Sequence, residues 1–160
     1  MILTDEQQSF LDQVVIDKWL VNSDTGLIDV DGDVGMSDMN LTEISVKFGN
    51  VTGYFNCGFN KLTSLVGAPQ SVGGCFDCSY NKLTNFLNGL KSVGDDLICY
   101  NSQLVSLEGF PVSLGGFFHI DLSYIKQDYY HVIIPEIEEI IFKVIKIYNP
   151  RKYYSIQRSI

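Results

Sequence analysis

From Val30 onward the chain repeats itself every 21 residues without a gap. The blocks begin at Val30, Val51, Val72, Val93 and Leu114, and VTGYFNCGFNKLTSLVGAPQS is followed directly by VGGCFDCSYNKLTNFLNGLKS. The fifth position of each block is Val34, Phe55, Phe76, Leu97 or Phe118, and the seventh is Met36, Cys57, Cys78, Cys99 or Ile120. The twelfth is Leu41, Leu62, Leu83, Leu104 or Ile125. The fifteenth is Ile44, Leu65, Phe86 or Leu107, and the pattern fails at Asp128. Alternation at positions five to seven is strand periodicity. Further on the apolar spacing widens to three, and Gly67, Pro69, Gly109 and Pro111 mark turns. A single copy has too few core side chains to offset the entropy of ordering its backbone, so the copies must stack.

Two blocks carry a sharper pattern. Phe55-x-Cys57-x-x-Asn60-x-Leu62 and Phe76-x-Cys78-x-x-Asn81-x-Leu83 match L-x-L-x-x-N-x-L, and on that pattern residues 27–125 resemble leucine-rich repeats. The proline-containing return looks like the short bacterial subtype of secreted effectors, and the wording resembles short repeats of phage and bacterial proteins. The sequence departs from the pattern at Met39, Ser102 and Ser123, which replace the Asn, and in the leading apolar residue, which sits four places before the strand. An Asn ladder inside the turns is therefore expected to be short. The resemblance implies an α/β repeat fold, a short solenoid with a parallel β-sheet.

The flanks read as caps, giving one domain with an N-terminal cap over residues 1–26, repeats over 27–125, and a C-terminal cap and tail over 126–160. Thr4 and Gln7 form a capping box. Phe10, Leu11, Val14, Val15, Trp19 and Leu20 recur at helical spacing, which predicts a helix over 5–20. Pro135 at a first helical position, followed by Glu136, Glu138 and Glu139 and an isoleucine-rich face, predicts a second helix over 135–148.

Charge is unevenly spread. The net charge of −8 is complete by residue 60, where ten acids face two lysines; residues 126–160 are mildly basic. An acidic chain is not expected to bind nucleic acid directly. Acids at Asp5, Glu6, Asp12 and Asp17 interrupt any signal-peptide core, and no run is long enough to span a membrane. A cytoplasmic location, the host cytoplasm for a phage protein, is the expectation.

Several motifs point to chemistry and are better read as structure. Cys57, Cys78 and Cys99 share one repeat column, which predicts a buried thiol stack. Cys75 and Cys78 spell C-x-x-C, yet strand alternation sends them to different sides. Asp29, Asp31, Asp33 and Asp38 evoke a calcium loop but lack its glycine and its final glutamate, and read as a solvated outer face. His119 and His131 have no nucleophile at a known spacing, and phosphate-binding and zinc motifs are missing from the sequence. No catalytic residue, metal or cofactor is assigned, and the chain is read as a non-enzyme.

The register makes the fourth, sixth, eighth and ninth positions of each block outward-facing. Tyr54, Asn56, Phe59, Asp77, Tyr80, Asp96, Tyr100, Phe117 and His119 then form an aromatic face with interspersed acids. Aromatic residues concentrate at protein-binding hot spots, and the resemblance implies binding through this surface. The expected function is a protein–protein interaction module. The phage likeness implies an inhibitor that occupies a host defence protein. A second copy of the chain is the competing occupant. The alternative is a nucleic-acid-mimicking decoy built on Asp5, Asp12, Asp17, Asp24, Asp29, Asp31, Asp33 and Asp38.

Overall fold

The computed structural model describes residues 2–121. They form a β-solenoid of about four turns with one helix at its N-terminus. The elements are α1 (Asp5–Val14), β1 (Lys18–Val21), β2 (Ile28–Asp31), β3 (Val34–Gly35), β4 (Phe48–Val51) and β5 (Phe55–Asn56), then β6 (Ser71–Val72), β7 (Phe76–Asp77), β8 (Ser92–Val93), β9 (Leu97–Cys99), β10 (Ser113–Leu114) and β11 (Phe118–Ile120). The helix expected over 135–148 and the fifth-block residue Ile125 lie outside the described residues.

Each turn supplies two strands, not the single strand expected. One sheet of five strands runs β3-β5-β7-β9-β11, all parallel, with Phe55 opposite Phe76 and Phe76 opposite Leu97. A second sheet runs β1-β2-β4-β6-β8-β10, parallel except where β1 joins β2. The sheets meet at a corner of about three residues, such as Thr52-Gly53-Tyr54. Successive turns approach closely there: a Cβ on Gly73 would press on the Thr52 carbonyl oxygen, and one on Gly94 on that of Gly73. Glycine is the residue that fits.

The repeat columns fill the core. Val34, Phe55, Phe76 and Leu97 are fully buried, as are Met36, Cys57, Cys78 and Cys99 and the Leu62, Leu83 and Leu104 column. Phe55 and Phe76 stack along the axis with ring centroids 5.3 Å apart. The Asn ladder is present and short. Asn60 Oδ1 accepts from the Met39 and Leu41 amides, and its Nδ2 donates to the Met36, Cys57 and Gly58 carbonyls. Asn81 Oδ1 accepts from the Leu62 amide and its Nδ2 donates to the Cys57, Cys78 and Ser79 carbonyls. Ser102 keeps one such bond, to the Cys99 carbonyl. One buried amide thus ties the strand end of its own turn to that of the turn before.

The N-terminal cap differs from its expectation in length. The Thr4–Gln7 capping box is present, but the helix ends at Val14. Val15 is extended, its N–H donating to Leu11 O, and the β-branched run Val14-Val15-Ile16 disfavours another turn. The chain is worth more as an edge cover. Val15 bridges antiparallel to Val34, and the Ile16 N–H donates to Asp33 O, which covers β3. Trp19 and Leu20 belong to β1, which pairs with β2 and covers the other sheet. Unpaired strand edges recruit other strands; this segment occupies both N-terminal edges. Among the described residues no helix is long and apolar enough to cross a membrane.

Replacing Asn81 with Leu strands the Leu62 amide and the Cys78 carbonyl without a partner. A loss of about 2–4 kcal/mol in unfolding free energy is expected from denaturant melts, against about 1 kcal/mol or less for Ser102→Ala, which loses a single bond.

Candidate functional site

The outward face of the five-stranded sheet carries the nine residues singled out by the register. In its central column Asn56, Asp77, Ile98 and His119 stand opposite one another on β5, β7, β9 and β11. Tyr54, Phe59, Tyr80, Tyr100 and Phe117 are all exposed large side chains. The eighth position departs from the expected outward column: Gly58 and Ser79 are buried, and Ser79 Oγ accepts the Tyr100 amide, while Tyr100 itself is exposed.

The ninth position holds the least expected geometry. The backbone there is left-handed in every described copy, with φ of 58° at Asp38, 54° at Phe59, 55° at Tyr80 and 47° at Asn101. Asp and Asn tolerate this region, whereas a bulky aromatic residue there is a genuine outlier that costs about 1–2 kcal/mol. The turn is imposed from upstream. Asn56 Oδ1 accepts the Gly58 amide at 2.9 Å and Asp77 Oδ1 the Ser79 amide at 2.8 Å, side-chain turns that bend the chain just before the aromatic residue. The ladder holds it from the side: Phe59 N–H donates to Ser79 O and Tyr80 N–H to Tyr100 O. Phe59 and Tyr80 then stack face to face, centroids 4.3 Å apart and planes 9° from parallel. They remain 54% and 42% exposed.

A second cluster lies toward β11. Asp96 Oδ1 accepts the Phe117 amide at 2.6 Å, and Asp96 Oδ2 faces His119 Nε2 at 3.0 Å. His119 Nδ1 lies 3.1 Å from the Tyr100 hydroxyl. A neutral ring protonated at Nε2 satisfies both contacts, donating to Asp96 and accepting from Tyr100. Burial would raise the Asp96 carboxyl, but the Phe117 amide and His119 outweigh it and hold the group below the usual carboxylate range. The sequence placed these residues on one face without showing that they join. Their bonds run diagonally between turns, whereas a repeat alignment displays only columns.

The acids of the first turn were expected to be a solvated face; none of them is buried, and the structure gives three of them a second task. Asp29 Oδ1 accepts the Asn50 amide and its Oδ2 the Asn22 side chain; Asp31 accepts the Thr52 hydroxyl; Asp33 accepts the Tyr54 amide. Asp33 and Asp96 share a repeat column and the same role, each gripping the amide of the next turn. Among the described residues no three metal-ligating side chains converge.

All four cysteines are free thiols. The buried column runs Cys57, Cys78, Cys99. Burial, with Asp77 nearby, pushes the Cys57 thiol far up, and the Cys99 thiol together with burial does the same to Cys78. Cys75 sits at a half-buried outward position with its Sγ 3.5 Å from Asp95 Oδ2, and burial and neighbouring carboxylates raise it too. Neither thiol of the C-x-x-C pair is activated, and the pair is split between face and core. No family model, curated protein or solved structure matches the chain.

Two outcomes follow from these thiols and carboxylates. A thiol reagent should label Cys75 alone in the folded protein, with Cys57, Cys78 and Cys99 labelled only after denaturation, as read by mass spectrometry of digested peptides. The lowered Asp96 contributes stability that is present above its unfolded value, about 3.9, and lost as pH falls through its lower folded value. The gap in urea midpoint between the protein and Asp96→Asn should therefore be open at about pH 5 and close as pH falls below about 4.

Proposed function

We propose that this protein is a non-enzymatic interaction module of the short leucine-rich-repeat kind, which binds a protein partner through the aromatic face of its five-stranded sheet. The observation that carries this reading is the Phe59–Tyr80 pair. Both side chains occupy a left-handed position against their own backbone preference, and both stay half exposed. The neighbouring copies use Asp38 and Asn101 at the same place, residues that suit the turn. Aromatic side chains kept at a strained, exposed position bring contact area that the fold itself does not use. The ladder fixes them before any partner arrives, so little ordering entropy remains to be lost on binding. Blocking a partner's surface by steric occupation is the mechanism such a rigid face supports, and a phage-type inhibitor of a host protein would act so. The nucleic-acid-mimic reading is weaker, because Asp29, Asp31 and Asp33 direct oxygens at the next turn of their own chain.

The test replaces both rings with the residue that the fourth copy carries, Asn101. Phe59→Asn with Tyr80→Asn relieves the backbone and removes the platform. Thermal stability should change by no more than about 1 kcal/mol. Capture of a partner from native cell extract, followed by calorimetry with that partner, should weaken at least about tenfold. Unchanged capture by the folded double variant removes this face from consideration.

A further inference from the structure

We infer that the partner segment received by this face is cationic, an arginine-bearing stretch of protein docked at Asp77; this rests on the face being the binding surface. Asp77 is central in the sheet, in register between Asn56 and Ile98. Its Oδ1 is committed to the Ser79 amide, while its Oδ2 takes no hydrogen bond among the described residues. Asp96, one turn along, has both oxygens engaged, by Phe117 and His119. Asp77 is thus the carboxylate of the face's central column, with one oxygen open to a ligand among the described residues. No Lys or Arg occupies an outward position of β5, β7, β9 or β11, so these strands supply no cation of their own there. The lysines that follow β5 and β7, Lys61 and Lys82, come after the turns closed by Asn60 and Asn81.

Around Asp77 the chemistry favours guanidinium over ammonium. The Phe59–Tyr80 stack follows Asp77 by three residues at Tyr80, and Tyr100 stands on the adjacent turn. Ring faces attract cations, and a planar guanidinium stacks on a ring while it hydrogen-bonds a carboxylate. An acidic or purely apolar segment would leave the open Asp77 oxygen repelled or unpaired.

The experiment uses the full chain, isotope-labelled, at a salt concentration of about 0.15 M, which screens loose attraction to the acidic N-terminal end. The probe is a short glycine-based peptide with two arginines, and the control has citrulline, the uncharged isostere, at both places. The arginine peptide should shift the amide resonances of Asn56, Asp77, Tyr80 and Tyr100. The citrulline peptide should bind at least about fivefold more weakly, and Asp77→Asn should reduce arginine-peptide affinity about two- to fivefold. Equal shifts from both peptides on this face overturn the cationic assignment while leaving the aromatic docking surface standing. Shifts confined to residues 5–38, or none with either peptide, also overturn it. Loss of partner capture in the Phe59 and Tyr80 double variant is measured separately, so failure of the surface and failure of the charge assignment are told apart.

Discussion

Every turn of this protein is registered on its neighbour by hydrogen bonds that join like to like, one repeat apart. Asp33 grips the amide of Tyr54, and Asp96 that of Phe117, both across 21 residues. Asn60 and Asn81 perform the same service from the inside. Parallel strands of two or three residues are too short to hold themselves. Stacking, side-chain grips and a core of repeated columns make them cooperative, and the position of each exposed ring follows from that shared register. The strain at Phe59 and Tyr80 is sustained because both neighbouring turns fix the backbone there.

Much of this was legible in the sequence because a gapless period converts one good column into a whole core. The buried columns, the thiol stack and the short Asn ladder were all readable from residue identity and spacing. The second sheet was not. Ser71–Val72 and Ser92–Val93 are two-residue strands, too short for alternation to show. The cap was half readable. Trp19 and Leu20 fit a helical stripe as well as a strand, and only the open edges of β2 and β3 decided between them.

The candidate site shows a finer limit. Repeat register put nine residues on one face, and the face exists. What register could not show was how they pair. The Asp96–His119–Tyr100 chain crosses turns diagonally. The left-handed turn at Phe59 and Tyr80 runs against aromatic preference, so their own identities conceal it. Asp38 and Asn101 in the same column were the available clue.

The two-sheet corner has a consequence for how such a surface is measured out. Because each turn brings its own glycine corner, its own strand pair and its own outward positions, the aromatic face is graduated like a ruler, with marks about 4.8 Å apart. A partner of the proposed kind would present its contacts at multiples of that interval. Copying one internal turn would lengthen the scale by one mark and leave every other mark where it stands, so reach along the axis and chemistry at each mark are separately adjustable.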